Sequence, residues 1–248
     1  MKDRYTDIIN LVSSRRRIEV NELAELLGVT TATMRRDLTY LSEKGILRRE
    51  RGYALLRDTN DINYRMAFYY EEKRRIAQYA ASLVDAYETI ILESGSTCAL
   101  FAEELVRARK KITFITNSAY IANYIQETSD ENVILLGGTF QKHSRATVGP
   151  MTKECVRPFR VDKIFAGIDG FSMESGFMGD NIDRSDTIRA MAGSAKHIYI
   201  LAESNKFKIS AAVPYFSFGE VYELITDSDI EEKVRERMSR AGIRVTVV

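Results

Sequence analysis

The chain has 248 residues, 45% of them hydrophobic and 29% charged, with a formal net charge of +1. No stretch approaches the roughly 18 consecutive apolar residues of a membrane span, and the polar, charged start does not read as a secretory leader. With two cysteines, Cys98 and Cys155, and two histidines, His143 and His197, neither a disulfide framework nor a structural zinc site is expected. A cytoplasmic protein with free thiols, no metal, no cofactor and no membrane partner is the expectation. The near-neutral total hides an asymmetry: residues 1–57 hold twelve basic and eight acidic side chains, a surplus of +4 against −3 for the remainder. A basic head on a mildly acidic body suits a polyanionic partner for the head.

Taken in chain order, Tyr5, Ile8, Ile9 and Val12 fall at helical spacing and predict a first helix with one apolar face. A second helix is expected from Glu22 to Leu27, capped by Asn21, with Leu23, Leu26 and Leu27 inward; Gly28 suits its C-terminal left-handed position. Thr30 is placed to cap a third helix through its hydroxyl. On that helix Met34, Leu38 and Leu41 make a buried stripe, which turns Thr31, Ala32, Arg35 and Arg36 outward.

Helix, short glycine-containing turn, helix is the helix-turn-helix pattern, whose second helix enters the major groove by its N-terminal half. Small Thr31 and Ala32 permit close approach, and Arg35 or Arg36 can fork onto guanine or onto phosphate. The competing reading is an ordinary solvated helix face. After Gly45, Ile46-Leu47 and Tyr53 to Leu56 flank Arg48-Arg49-Glu50-Arg51-Gly52, which predicts a β-hairpin wing with a basic tip against the phosphate backbone. The candidate DNA contacts are therefore Thr30, Thr31, Ala32, Thr33, Arg35, Arg36, Arg48, Arg49 and Arg51.

These residues carry a family resemblance. Val20-Asn21-Glu22-Leu23-Ala24, Val29-Thr30, Thr33-Met34-Arg35-Arg36-Asp37-Leu38, Leu41, Gly45 and Leu47-Arg48 resemble the DNA-binding domain of DeoR-type repressors. The wing turn differs, with Arg51-Gly52-Tyr53 where the family usually has a His-Gly-Gly-like turn.

Beyond an expected linker, 58–72, a helix from about Glu71 to Leu83 buries Ile76, Ala80 and Leu83. The remainder, 73–248, alternates. Strands are expected at Thr89 to Leu92, Ile112 to Ile115, Val133 to Leu136, Lys163 to Gly167, Ile198 to Leu201, Glu223 to Thr226 and Ile243 to Val248. Helices are expected at Ala99–Ala108, Ala119–Glu127, Thr187–Ala195 and Ile230–Ala241. The fold class is thus α/β: a small winged helix-turn-helix, 1–57, followed by a larger, mostly parallel sheet covered by helices. Ligands then bind beyond the carboxyl ends of strands.

Several strand ends carry suitable groups. Ser94-Gly95-Ser96-Thr97 before a helix is either a phosphate cradle or a plain cap; Thr116-Asn117-Ser118 follows the second strand. Gly137-Gly138 is either a close-approach site or a tight turn. Asp169 follows the fourth strand, and Lys206 either neutralises a phosphate or is an ordinary surface lysine.

As a set, with Glu72-Lys73, Leu136, Asp162-Lys163, Gly176, Met191 and the Leu201 to Phe207 run, these positions resemble the DeoR sensor domain, which is similar in fold to ribose-5-phosphate isomerase. Gly95-Ser96-Thr97 stands where Gly-Thr-Thr is commoner, and Glu203 where an aspartate is usual. The resemblance implies that Ser94, Gly95, Ser96, Thr97 and Lys206 hold a phosphate, with Asn117, Gly138 and Asp169 near the sugar portion. It implies a repressor of a sugar-metabolism operon with two partners, a double-stranded operator and a phosphorylated effector that relieves repression. A homo-oligomer, dimer or tetramer, is expected, since paired heads match two half-sites. The alternative is a sugar-phosphate isomerase with an appended DNA-binding domain. Glu93, Asp169, Asp180 and Glu203 are its candidate carboxylates, but the isomerase's acidic cluster and glycine-rich Glu-Lys loop have no counterpart.

Overall fold

A computed structural model describes residues 2–15, 17–43, 47–56, 62–126 and 131–248. Arg16, Lys44 and Arg57 of the basic tally, Gly45 and Ile46 before the wing, residues 58–61 of the expected linker and Glu127 lie outside the described residues. The chain divides into two units, 1–70 and 71–248.

The first unit contains α1 (Lys2–Arg15), β1 (Arg17–Glu19), α2 (Val20–Leu26), α3 (Thr31–Glu43), β2 (Leu47–Glu50), β3 (Tyr53–Leu56) and α4 (Ile62–Ala67). Its core gathers Ile8, Ile9 and Val12 of α1, Leu23 of α2, Met34, Leu38 and Leu41 of α3, and Leu47 and Ala54 of the wing strands. Full burial of one such large side chain is worth about 1.5–3 kcal/mol. Three expectations are corrected. The α2 cap is Glu19, in extended backbone and without a side-chain cap bond, and Asn21 lies inside the helix. Leu26 is exposed, because the inward stripe of α2 is Val20, Leu23 and Ala24, with Leu27 packed on the same core. Arg48 and Arg49 lie within β2 and not at the hairpin tip, which is the two-residue turn Arg51-Gly52.

An unforeseen strand, β1, pairs antiparallel with β3 and makes the wing three-stranded, in the order β1-β3-β2. The turn after α2 is a Schellman motif: Val29 N–H donates to Ala24 O (3.0 Å) and Gly28 N–H to Glu25 O (3.1 Å). The expected linker stretch, 58–72, holds α4 and the start of α5 (Tyr70–Ser82).

The second unit continues with β4 (Thr89–Leu92), α6 (Ser96–Arg107), β5 (Thr113–Thr116), α7 (Ala119–Gln126), β6 (Asn132–Leu135), β7 (Thr139–Gln141), β8 (Ala146–Val148), α8 (Pro150–Val156), β9 (Val161–Ala166), β10 (Gly170–Ser172) and β11 (Gly176–Gly179). It ends with α9 (Ile182–Ala192), β12 (Ala195–Leu201), β13 (Val213–Phe216), β14 (Val221–Thr226), α10 (Glu232–Arg240) and β15 (Arg244–Val247). The seven strands expected from sequence form one sheet, ordered β15-β14-β12-β9-β4-β5-β6 and parallel throughout. Starting at β4, the chain winds outward to β6, returns to β9 and winds outward the other way to β15. Strand order therefore reverses between β4 and β9. At such a point the connections depart in opposite directions and leave a crevice at the carboxyl ends. A short antiparallel sheet, β10-β11-β13, and a hairpin, β7-β8, are additions that the sequence reading did not foresee. The helix expected at Thr187–Ala195 starts earlier, at Ile182, where the Asn181 side chain accepts from Arg184 N. No helix of the described residues is long and apolar enough to cross a membrane.

Gly28 has φ +62°, and a Cβ there meets nothing within 4 Å. Gly28→Ala therefore isolates backbone strain from crowding and should destabilise the first unit by about 1 kcal/mol. Urea unfolding followed by circular dichroism measures this; an unchanged midpoint would refute the left-handed turn.

Candidate functional site

The first unit presents one face of α3 to solvent. Thr31, Ala32, Arg35 and Arg36 are exposed, and Thr33 is half-buried. The Thr30 side chain accepts from Thr33 N–H at 3.2 Å, and its hydroxyl lies 2.9 Å from that of Thr33. Asp37, between the exposed arginines and the core leucine, points inward: it is 3% exposed. Arg4 of α1 grips it with a two-pronged contact, Nε to Oδ2 at 2.6 Å and Nη2 to Oδ1 at 3.2 Å. The Arg-Arg-Asp-Leu run thus alternates duties, with two arginines outward, an aspartate clamping α1 to α3, and a leucine in the core.

The wing is attached to the same helix. Arg49 Nη1 donates to Thr39 Oγ1 at 2.8 Å, which sets this exposed side chain against α3. Arg48 pairs with Glu50 at 3.1 Å with both side chains exposed. Arg51 and Gly52, at φ +45° and +87°, form a turn that matches the twist of a two-residue hairpin and leaves Arg51 exposed at the tip. Arg17 of β1 lies over the Tyr53 ring, 3.8 Å from its centroid, and adds a cation to this surface.

In the second unit Ser94 to Thr97 and Asp169 follow β4 and β9 beside the crevice, while Asn117, Gly138 and Lys206 follow β5, β6 and β12. Glu93 and Ser94 follow β4; Glu93 accepts from Ser94 Oγ (2.8 Å) and from Gly167 N–H (3.4 Å). A Cβ on Gly95 would lie 2.9 Å from Glu93 Oε2 and 3.6 Å from Gly167 Cα, so the two loops touch through glycine. Gly95 is the N-cap of α6 and brings no side chain to its first amides, where Ser96 and Thr97 are buried. This helix start offers N–H donors and two hydroxyls to an anion.

Asp169 follows β9 and is held from three sides. Its Oδ2 accepts from Arg184 Nη2 (2.8 Å), Tyr215 Oη (3.1 Å) and Asp180 N–H (3.1 Å). Arg184 and Asp169 are each about 10% exposed at the side chain. Burial lowers the guanidinium's pKa, but Tyr215, Asp169, Glu93 and Asp180 together raise it above its ordinary value, which keeps Arg184 charged. Burial, then the Asp169 charge, pushes the Tyr215 hydroxyl well above the usual tyrosine range, so it remains a donor. Glu93, Asp169 and Arg184 give the crevice two carboxylates and one fixed cation.

The other expected residues are held by hydrogen bonds within their own strand ends. Asn117 Nδ2 donates to Thr147 O (2.9 Å), and Thr147 Oγ1 to Leu136 O (2.7 Å). On the hairpin partner strand, Gln141 Nε2 donates to Asn181 Oδ1 (3.1 Å), next to Asp180. Gly138 has φ +148°, and a Cβ there would lie 2.0 Å from Thr152 Oγ1, so only glycine fits. Asn117 Oδ1 and Thr152 Oγ1 are buried with no hydrogen-bond partner among the described residues, an unusual state for buried polar atoms. Lys206 sits half-buried in a 3-10 turn, Ser204–Lys208, its N–H donating to Glu203 O (3.0 Å). Glu203 in turn is paired with Lys73 of α5 at 4.0 Å, both side chains no more than 5% exposed.

Sequence reading missed Arg184 and Tyr215, which converge on Asp169 from 15 and 46 residues away and carry no local motif. The Glu72-Lys73 pair carries no sequence signal of the partner that Lys73 finds in Glu203. Among the described residues no group of three or more histidine, cysteine or acidic side chains is placed to hold a metal ion.

Comparison with known proteins matches both units. The DeoR-like helix-turn-helix domain model matches residues 4–60, and the DeoR C-terminal sensor domain model matches residues 69–228. The chain is 29% identical to the HTH-type transcriptional regulator GolR of Listeria innocua, over 99% of this chain and 98% of that one. It is 28% identical to the HTH-type transcriptional repressor GlcR of Bacillus subtilis, over 99% and 96% respectively. It is also 28% identical to the glycerol-3-phosphate regulon repressor of Escherichia coli, over 91% and 90%. Among solved structures, ribose 5-phosphate isomerase A of Methanocaldococcus jannaschii is similar over 54% of this chain and 53% of its own, with 20% identity and a TM-score of 0.41. With its helix-turn-helix and its sensor domain both matched along nearly the whole length, this chain belongs to the DeoR family of transcriptional regulators.

Proposed function

We propose that the protein is a DNA-binding repressor of a sugar-metabolism operon, released from its operator by a phosphorylated sugar or related metabolite. The observation that carries this reading is the outward face of α3, where Thr31, Ala32, Arg35 and Arg36 stand clear of a core sealed behind them by Met34, Leu38 and Asp37. A helix held this rigidly presents short side chains for close approach and guanidiniums for base edges or phosphates. Arg51 at the wing tip, with Arg48 beside it, supplies sequence-blind contact to the backbone.

In the sensor unit, the α6 start at Ser94, Gly95, Ser96 and Thr97 takes the phosphate together with Lys206. Asn117, Gly138 and the Asp169 cluster take the hydroxyl-bearing portion. The unpartnered Asn117 Oδ1 favours a ligand hydroxyl there, because a buried acceptor regains its lost hydrogen bond when one arrives. Effector control requires only that the ligand bind one arrangement of the protein more tightly than another. The relatives named above are regulators and repressors, and the reading is of a regulator rather than an enzyme.

Arg35→Ala should cost about 1–3 kcal/mol of operator binding and relax preference at one base position, measured by mobility shift against variant operators. Unchanged sequence preference would reassign Arg35 to the backbone. Lys206→Ala should leave operator affinity intact and shift the effector dose response to higher concentration; an unmoved dose response removes Lys206 from the site. In a thermal-shift screen, a saturating sugar phosphate should raise the melting temperature of the intact chain, since a ligand bound only by the native state stabilises it. A flat response to every sugar phosphate tested would count against the effector reading while leaving the DNA-binding one in place.

A further inference from the structure

The outer strand β6 is hydrogen-bonded to β5 on one side, and among the described residues no strand pairs with its other side. Sheet interiors hide their side chains, as β4 and β5 do, but β6 is open on both faces: Ile134 is 37% exposed and Leu135 46%. The apolar surface continues past the strand. Met151 is exposed and its Sδ lies 3.8 Å from where a Cβ on Gly137 would be, and Phe140 is exposed on β7. From Asn132 to Gln141 there is no charged residue and no proline. The opposite edge strand, β15, is guarded in the usual way by a cation, Arg244, which lies over Tyr222 and 3.8 Å from Glu223.

An unguarded edge with exposed aliphatic side chains invites strand addition. We infer that β6 pairs antiparallel with β6 of a second copy of this chain, about a two-fold axis near Ile134, joining the two parallel sheets into one. A two-fold contact places one patch against itself, so the patch must complement itself. A charged strand would meet its own charge across the axis. The run Asn132-Val133-Ile134-Leu135 meets only aliphatic and amide groups, and each copy supplies the backbone donors and acceptors that the other leaves open. The pairing would bring two DNA-binding heads into one particle. The inference stands on the edge strand and not on operator binding, so it is tested without DNA.

Sedimentation velocity of the full chain at micromolar concentration should show a dimer or a multiple of it. Ile134→Lys and Leu135→Lys should each weaken assembly roughly tenfold or more while keeping the parent's circular dichroism spectrum, because both side chains are already exposed. Ile134→Cys, which the axis sets opposite its own copy, combined with Cys155→Ser should form a covalent dimer under mild oxidation. A monomeric parent overturns the inference, and so does a folded lysine variant with undiminished assembly. Should the lysine variants fail to fold, the cysteine variant decides, and absence of any cross-linked dimer overturns it.

Discussion

The reversal of strand order between β4 and β9 is the constraint from which the sensor unit's chemistry follows. The connections that leave these two strands travel in opposite directions, so the carboxyl ends are left open between them. Glu93, Gly95, Gly167 and Asp169 are there because the chain has to pass that point twice, once leaving β4 and once leaving β9. Buried polar groups in such a crevice must be matched, and Arg184, Tyr215 and the Asp180 amide meet that requirement at Asp169. Asn117 Oδ1 and Thr152 Oγ1 do not meet it.

The head obeys a different constraint. A helix has one inward stripe, and on α3 it is filled by Met34, Asp37, Leu38 and Leu41. Placing a carboxylate in that stripe is costly unless it is paired and hydrogen-bonded, and Arg4 supplies both. The clamp fixes the rotation of α3 about its axis, which decides whether Arg35 and Arg36 point toward a ligand or away from it. The Arg49–Thr39 bond sets the wing against that same helix.

The seven strands of the parallel sheet were legible because each is a short β-rich run between helical stretches, a pattern that allows few folds. The third helix of the head was equally plain from the spacing of Met34, Leu38 and Leu41. What escaped was short or distant. β1 has a single inward residue, Ile18, too little for an alternating pattern. The hairpin β7-β8 and the β10-β11-β13 sheet are strands of three or four residues, whose pairing depends on partners elsewhere in the chain. Leu26 misled because a leucine-rich helix offers more than one possible stripe. At the candidate site, the residues at strand ends were visible from position alone, while Arg184 and Tyr215 acquire their meaning only from the fold.

The buried contact between Lys73 and Glu203 bears on how information leaves the crevice. Two ions hidden from water are poor stabilisers, because desolvation offsets most of their attraction, but they are unforgiving about distance. Lys73 lies in the first turn of the helix that begins where the DNA-binding unit ends, and Glu203 immediately precedes the turn bearing Lys206. The helix leading out of the DNA-binding unit is thereby tied, through a buried ion pair, to the residue that precedes the Lys206 turn.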